Sequence, residues 1–337
     1  MSKREVARAR SRLQAEVRRH LGSRGWDEVE TPCLVPAPGM EPHIQAFEVP
    51  FAPEGGGPPH PLYLHTSPEY AMKRLLAEGF ERIFQLARVF RNGELSATHN
   101  PEFTMLEMYR AGADHRGIMA DLEELVAACA RALDPAGAPR GRFRGLELDL
   151  AAPFERVTVA DAFAQAGVDL AGCGGDAGRL RAEGRRRGID PGPDGEGFDD
   201  AFFRIFLEAV EPGLGRRRPV YLVDWPASMA ALARISADDP RWAERFELYA
   251  AGLELANGFA ELNDAAEQRR RLVEERGLRA RLGRPTYPID ERFLEAVGRM
   301  PDAGGVALGL DRLLVLLTGA SSVAEVLLFP ASDFLGG

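Results

Sequence analysis

Apolar residues recur at helical spacing in several stretches of the chain. They predict amphipathic helices over residues 5–21, 117–133 and 310–317, and a further helix within 285–299. Another helix is predicted to start after residue 66, with Ser67 as its N-cap and Pro68 at the first helical position.

Between these helices, the chain carries apolar or alternating runs that predict strands. The predicted strands are 26–31, 62–66, 84–90, 102–107, 219–226 and 304–309, with a strand-rich stretch at 244–259. Because several are joined by short loops, we expect an antiparallel sheet with flanking helices, an α+β arrangement. The sequence has no dinucleotide-binding fingerprint after a strand and no phosphate-binding P-loop.

Residues 134–215 interrupt this pattern. The segment is rich in Gly, Arg and Asp, and only 158–166 and 199–211 have helical spacing. We interpret it as a variable insertion with loops.

Composition narrows the class of protein. The 337 residues carry a formal net charge of −9, whereas a protein that grips nucleic acid usually presents a basic face. The short basic runs 185–187 and 216–218 are interpreted as solvated loop charge. The sequence shows neither an apolar run of membrane-spanning length nor an apolar signal core near Met1. Together with three scattered cysteines, this predicts a cytoplasmic protein.

The stretch from Arg91 to Tyr109 concentrates polar chemistry. Arg91 ends a predicted strand, where its planar guanidinium could hold a phosphate, and Phe103 could stack on adenine. Glu107 and Tyr109 are two residues apart, so on a strand they share one face and could receive a substrate ammonium. A hairpin with a salt-bridged arginine is the plain alternative, which the long string His-Asn-Pro-Glu-Phe-Thr-Met-Leu-Glu disfavours.

Glu254 and Glu261 are seven residues apart. On a helix they would share one face, and on a regular strand they would lie on opposite faces. Asn257-Gly258 favours a turn or bulge that would bring both carboxylates to one side. Two carboxylates facing a triphosphate would hold Mg²⁺, which takes oxygen ligands.

Two further strings carry candidate chemistry. The glycines from Gly304 to Gly309 would let the backbone approach a nucleotide, and Arg312 could bind a γ-phosphate; the alternative is an ordinary strand–helix junction. Ser67 and Glu69 could reach a substrate amine, or serve only as an N-cap and a first-turn acid. Lys73 is interpreted as structural.

In this order, the strings resemble the three signature motifs of class II aminoacyl-tRNA synthetases of the lysine type. The helix at 5–21 and the strand ending at Pro32 resemble the first motif, which forms the dimer interface in that family. The resemblance covers roughly residues 5–333. It implies the family's catalytic fold as one domain over 1–337, with the insertion at 134–215 and no anticodon-binding domain.

The strings Thr66-Ser67-Pro68-Glu69-Tyr70 and 305–312 are most similar to the truncated paralogues of that family, the elongation factor P–(R)-β-lysine ligases. This resemblance implies activation of (R)-β-lysine by ATP, with Mg²⁺, and transfer to a lysine of elongation factor P by a homodimer without a tRNA or membrane partner. The alternatives are a compact lysine-activating synthetase that charges tRNA or another acceptor, a non-catalytic regulatory paralogue that binds lysine or ATP, and an asparagine synthetase of the same fold.

The resemblance also assigns residues. The implied ATP-binding residues are Arg91, Asn92, Gly93, Glu94, Asn100, Phe103, Glu254, Leu255, Gly309 and Arg312. The implied amino-acid-binding residues are Ser67, Pro68, Glu69, Glu107, Tyr109, Asn257, Glu261 and Ala307. Arg91, Arg312, Glu254 and Glu261 would be catalytic, and both of these glutamates would hold the metal.

Two positions depart from the lysyl synthetase pattern. Ala307 stands where those enzymes have glycine, and we hypothesise that its methyl group disfavours α-lysine and fits a β-amino acid. Gly93 stands where the family has the glutamate that meets the adenine amine. Either Glu94 or a backbone carbonyl near Gly93 would then read the base.

Overall fold

The structure is a computed structural model that describes residues 1–335. The strands are β1 (Asp27–Glu28), β2 (Leu34–Val35), β3 (Phe47–Phe51), β4 (His60–Leu64), β5 (Arg82–Phe90), β6 (Glu102–Ala111), β7 (Arg140–Phe143), β8 (Leu146–Asp149), β9 (Glu155–Thr158), β10 (Val220–Pro226), β11 (Trp242–Ala250), β12 (Leu253–Ala260) and β13 (Ala303–Gly309).

The helices are α1 (Lys3–Gly22), α2 (Glu69–Ala77), α3 (His115–Leu133), α4 (Val159–Gln165), α5 (Leu170–Cys173), α6 (Ala177–Arg186), α7 (Phe198–Ile205), α8 (Ala265–Arg281), α9 (Glu291–Val297), α10 (Leu310–Thr318) and α11 (Ser332–Leu335). A π-helical turn (Phe206–Val210) continues α7, and short 3₁₀ turns lie at Glu211–Gly213, Ala227–Met229 and Val323–Val326. None of the helices described for residues 1–335 has the length and apolar composition needed to cross a membrane.

One eight-stranded sheet organises the molecule. Its strand order is β1-β5-β6-β13-β12-β11-β10-β9, and every pairing is antiparallel except the two at the ends. The last strand in the chain, β13, therefore lies between β6 and β12. Smaller sheets are formed by β2-β4-β3 and by β7-β8. The predicted α+β arrangement is confirmed.

The two faces of the large sheet differ. Helices α1, α3 and α10 cover one face, and their apolar stripes pack against even-numbered residues of β6 such as Leu106 and Met108. Odd-numbered residues of β6, including Glu107 and Tyr109, face the opposite side because side chains alternate along a strand. That opposite side contains the site described below.

The insertion has its own small core. Helices α4 to α7 bury Phe163, Phe202 and Phe206 against Trp225 of β10. The two predicted helical patches correspond to α4 and to α7 with its π-helical turn. The β7–β8 hairpin and helices α5 and α6 were not predicted.

Several predicted boundaries differ from the structure. The strand predicted at 26–31 is reduced to β1, and the one predicted at 62–66 begins two residues earlier, at His60. Ser67 is not an N-cap, because Pro68 occupies the cap position of α2 without a side-chain hydrogen bond. The Ser67 hydroxyl still accepts a hydrogen bond from the backbone N–H of Glu69 at 3.0 Å, and it donates to the Glu107 carboxylate of the site at 2.8 Å.

Candidate active site

A cavity of about 570 Å³ lies on the face of the large sheet away from α1, α3 and α10. The predicted site residues that line it are Ser67, Glu69, Arg91, Glu94, Asn100, Phe103, Glu107, Tyr109, Glu254, Leu255, Asn257, Glu261, Ala307, Gly309 and Arg312. Pro68, Asn92 and Gly93 do not line it. Side chains from strands distant in sequence thus meet at one surface.

One end of the cavity presents a cation beside an aromatic ring. Arg91 follows the last residue of β5, and its guanidinium lies over the Phe103 ring at 5.2 Å from the centroid. Its closest carboxylate is Glu94, at 3.8 Å, and its Nε atom is buried without a hydrogen-bond partner. A planar donor with unused hydrogen-bonding capacity, next to an apolar ring, suits a phosphate and a stacked base.

Gly93 has a φ of +86°, in the left-handed region that favours glycine. A glutamate side chain at this position would therefore strain the backbone, although the space beside the Cα is open. Glu94, the next residue, does line the cavity. Which group reads the base stays a prediction.

Arg312 forms the second cationic group of this end. Its guanidinium donates to the backbone carbonyl of Glu254 at 2.8 Å, to the Glu254 carboxylate at 3.3 Å and to the carbonyl of Thr98 at 3.2 Å. The remaining nitrogen lies 2.7 Å from Nε2 of His99. Arg312 thereby holds the loop before β6 against the start of β12.

Asn100 has a structural role in the same loop. Its amide nitrogen donates to the carbonyl of Glu102 at 2.6 Å, and its amide oxygen accepts from the backbone of Ala331 at 2.9 Å. Both polar atoms of this buried side chain therefore bond to protein groups. Asn100 thus shapes the predicted ATP site, and its side chain could bind ATP directly only if these bonds broke.

The other end of the cavity is rich in carboxylates. Glu107 accepts hydrogen bonds from the hydroxyl of Tyr109 at 2.5 Å and from the hydroxyl of Ser67 at 2.8 Å. Burial, and then the nearby Glu69, raise the pKa of Glu107 to about 8 against these two hydrogen bonds. The strand spacing correctly placed Glu107 and Tyr109 on one face.

Lys73 lies behind this end and has no solvent exposure. Its ammonium is 2.6 Å from the carboxylate of Glu69 and 2.6 Å from that of Glu261. Burial lowers the pKa of Lys73, but the two carboxylates outweigh burial and raise it overall, so the lysine stays charged. The structural interpretation of Lys73 missed its contact with two predicted substrate-binding residues.

Gly305 leaves room for this carboxylate cluster. A Cβ atom at this position would collide with the carboxylate of Glu261 and with the ring of Tyr109. Any side chain larger than hydrogen at position 305 would therefore displace groups of the amine-binding end. The glycine is required here by close approach, since its φ is not positive.

A β-bulge in β12 brings Glu254 and Glu261 to one side. Leu248 of β11 pairs with Ala256 and Tyr249 pairs with Glu254, which leaves Leu255 as the extra residue. The predicted irregularity thus exists, but it lies at Leu255 and not at Asn257-Gly258, which continue the strand. Both glutamates line the cavity as expected.

A single Mg²⁺ bound by Glu254 and Glu261 stays a prediction, which would require both side chains to reorient. Strand rise separates their backbones by roughly 20 Å, and Glu261 is already paired with Lys73. Glu247 of β11 is a second candidate companion of Glu254, and it too is paired, with Arg245 at 2.5 Å and with the Tyr249 hydroxyl at 2.5 Å. Burial raises the pKa of Glu247 to about 7, with Glu254 adding to the increase and Arg245 opposing it.

A divalent cation would relieve this repulsion between Glu247 and Glu254. Within residues 1–335, no three His, Cys, Asp or Glu side chains converge on one point as a preformed metal site. Mg²⁺ commonly uses one or two carboxylates together with substrate phosphates and water. The two glutamates therefore fit an ion that arrives with ATP.

The wall of the cavity includes residues that the sequence did not single out. These are Glu41, His43, Phe203, Arg245, Glu247 and Glu275. The loop that carries Glu41 is held by buried Arg279, which donates to the carbonyls of Glu41 at 2.6 Å and Ile44 at 2.7 Å. Glu247 could have been suspected, because it precedes Glu254 by the same seven residues that separate Glu254 from Glu261.

Ala307 lies at the centre of the site. In the middle strand β13 it is the register partner of Glu107 on one side and of Asn257 on the other. Its methyl group therefore lies between two residues predicted to contact the amino acid.

Comparison with known proteins identifies the family of the chain. Residues 2–333 match the family described as tRNA synthetases class II (D, K and N). Proteins named elongation factor P–(R)-β-lysine ligase from Salmonella paratyphi B, Salmonella dublin and Salmonella agona are each 41% identical to the chain over 322 residues, which cover 95% of this chain and 93% of each relative. This chain therefore belongs to the family of class II tRNA synthetases.

Proposed function

We propose that this protein is a ligase that activates (R)-β-lysine with ATP as an adenylate and transfers it to a lysine ε-amine of elongation factor P. The observation that carries the proposal is the polarity of one cavity. Arg91 and Arg312 lie near the start of β6 and the end of β13. Glu107 and Glu261 lie toward the opposite ends of these strands, and Lys73 holds Glu69 beside Glu261. Such a cavity suits a triphosphate beside an ammonium-bearing amino acid.

In the first step, the substrate carboxylate attacks the α-phosphate of ATP, and the bond to pyrophosphate breaks with its electron pair leaving on the pyrophosphate. Arg91 would hold the α-phosphate, and Arg312 the γ-phosphate, so that both stabilise charge that grows in the transition state. When bound, Mg²⁺ on Glu254 and Glu247 would neutralise part of the phosphate charge. Phe103 would stack on the adenine.

The carboxylate end would select the amino acid. Glu107, oriented by the hydroxyls of Tyr109 and Ser67, offers a fixed acceptor for one ammonium group. The second ammonium group of the substrate would contact Glu69 at the start of α2 and Asn257, which pairs with Ala307. A neutral or anionic side chain would leave buried carboxylates unpaired, at a substantial cost.

In the second step, the neutral acceptor amine attacks the adenylate carbonyl, the C–N bond forms, and AMP leaves with the electrons of the C–O bond. The attacking nitrogen gives up one proton to solvent or phosphate, and the product is an amide. No protein nucleophile is required. The names and identity of the relatives support elongation factor P as the acceptor, and this acceptor would place the reaction in the cytoplasm.

The whole chain would act as one catalytic unit, because the cavity draws residues from Glu41 to Leu327. We include in the proposal a homodimer formed through α1 and β1, which rests on the resemblance of residues 5–32 to the first motif of the family. Transfer to tRNA remains the competing outcome, and the net charge of −9 speaks against it.

ATP–pyrophosphate exchange with (R)-β-lysine, (S)-β-lysine and α-lysine tests the first step, with Arg312→Gln as the inactive control. We expect the strongest exchange with (R)-β-lysine. Intact mass measurement of elongation factor P, with tRNA charging run in parallel, tests the second step. Exchange with α-lysine alone together with charging of tRNA would overturn the proposal.

A further inference from the structure

Lys73 forms two buried ion pairs, one of which joins separate elements of the fold. It is on α2, in the same helix as Glu69, yet its second partner Glu261 follows β12. The Lys73 side chain is 0% exposed, and the Glu261 side chain is 1% exposed. A buried lysine is costly unless it is paired, so this ammonium is held in place by the two carboxylates.

The charges around Lys73 do not balance. Glu69, Glu107 and Glu261 all line the cavity, and one ammonium opposite three carboxylates leaves a net charge of −2 when all are ionised. The remaining contacts of Glu107 are hydroxyl groups, which carry no charge. With all four ionised, Lys73 and these three carboxylates are therefore two positive charges short of neutrality, which is the number that a diamino acid brings in its two ammonium groups.

We propose that Lys73 is a positioning residue that sets the selectivity of the site for substrates with two ammonium groups. Its ammonium group permanently neutralises one of the three carboxylates, and it holds Glu69 and Glu261 at a constant separation. The two negative charges that remain are available to the two ammonium groups of the substrate. This inference rests on the proposed function, because it assumes that an amino acid binds among these carboxylates.

The consequence of removing Lys73 follows from the geometry. Glu69 and Glu261 would lose the cation that each contacts at 2.6 Å and would repel each other in a buried site. One of them would turn away or take up a proton, and the acceptor for one substrate ammonium would be lost. The ATP end, formed by Arg91, Phe103 and Arg312, would keep its contacts.

The test uses Lys73→Met, which keeps the volume of the side chain, and Lys73→Ala, which leaves space for an added amine. Arg74→Ala, at the next position of the same helix, is the matched control. In pyrophosphate exchange we expect Lys73→Met to raise the KM for the diamino acid by on the order of tenfold or more, with the KM for ATP unchanged. Lys73→Arg is expected to recover part of the loss.

Chemical rescue separates charge from packing. We expect propylammonium or butylammonium chloride to activate Lys73→Ala by entering the space left by the lysine, and to inhibit the wild-type protein weakly as a competitor. Neutral propanol at equal concentration should not activate. An unchanged KM in Lys73→Met, or equal rescue by propanol and by propylammonium, would overturn the inference.

Activity of the wild-type protein separates a failure of the proposed function from a failure of the role assigned to Lys73. If the wild type shows no exchange with any lysine isomer, the proposed function fails. If the wild type is active and Lys73→Met matches it, only the role of Lys73 fails. Circular dichroism on each variant identifies one that does not fold, in which case Lys73→Arg and the rescue experiment provide the test.

Discussion

Arg312 donates a hydrogen bond to Nε2 of His99 over 2.7 Å, so this ring nitrogen must be unprotonated for the contact to exist. Burial lowers the pKa of His99, and the Arg312 guanidinium lowers it further, against the opposing carboxylates of Glu94 and Glu254. The neutral ring thus serves as an acceptor that helps to fix a predicted phosphate-binding arginine.

The first prediction concerns acid pH. Because the folded-state pKa of His99 lies below its ordinary value of 6.5, the contact is intact at neutral pH and is lost as the pH falls through that lowered pKa. Protonated His99 would repel Arg312, so the KM for ATP should rise on the acid side of pH 6.5. Steady-state kinetics between pH 5.5 and 8 on wild type and His99→Gln check this.

The glutamine oxygen of His99→Gln can accept the same hydrogen bond and does not titrate. The variant should therefore lack the acid-side rise. A rise of the same size in both proteins would show that another group is responsible.

The second prediction concerns alkaline pH and the amine end. Burial raises the pKa of Glu107 to about 8, and only its ionised form attracts an ammonium, so substrate affinity should increase as the pH rises through about 8. Tyr109→Phe removes a hydrogen bond that favours the ionised form, so the increase should move to higher pH. Loss of this bond to a charged group should cost about 1.5–3 kcal/mol of binding.

Isothermal titration calorimetry with the diamino acid from pH 6.5 to 9 measures both effects. Tyr287→Phe, another buried tyrosine with a hydrogen-bonded hydroxyl, is the matched control. An affinity that does not change with pH would contradict the role of Glu107.

The third prediction concerns Ala307. Its methyl group lies between Glu107 and Asn257 across adjacent strands. Ala307→Gly should therefore gain α-lysine activation, with a change in selectivity worth about 1–3 kcal/mol. Pyrophosphate exchange with α-lysine and (R)-β-lysine gives the ratio directly, and no gain with α-lysine would refute the hypothesis.

The fourth prediction concerns stability. Arg10 of α1 forms an ion pair with buried Asp311 at the start of α10 and donates to the carbonyl of Val326 at 2.8 Å. Asp311 also accepts from the backbone of Thr104 at 2.7 Å. Arg10→Met leaves this carboxylate without its cation and should lower the free energy of unfolding by about 3–5 kcal/mol.

Urea denaturation measures this loss, with the exposed Arg4→Met as control. A loss below about 1 kcal/mol, the range of surface pairs, would show that the pair is not important for stability.

Strand periodicity was sufficient to place Glu107 and Tyr109 together, because alternation along a strand is a local property. The bulge at Leu255 could not be located in the same way, since an extra residue is defined only against the partner strand β11. The prediction of an irregularity was correct and its position was wrong, whereas the metal shared by Glu254 and Glu261 stays a prediction.

Helix α8 was missed for a related reason. Two of its buried residues are Arg271 and Arg279, which donate to backbone carbonyls of distant loops. A helix whose buried face contains such charged residues lacks a clear apolar stripe, so its periodicity is hidden. Lys73 shows the same limit, because neighbouring residues of α2 cannot reveal a contact with Glu261.

The insertion of β13 between β6 and β12 has a consequence for the newly synthesised chain. Until residues 303–309 have left the ribosome, β6 and β12 each keep an edge whose backbone groups lack a partner. A chain terminated before residue 303 would contain nearly every carboxylate of the site. It would nevertheless lack the strand that joins β6 to β12. Such a chain would expose two unpaired strand edges, which can pair with the strands of other chains. The last strand therefore completes the site and also removes two edges at which aggregation could begin.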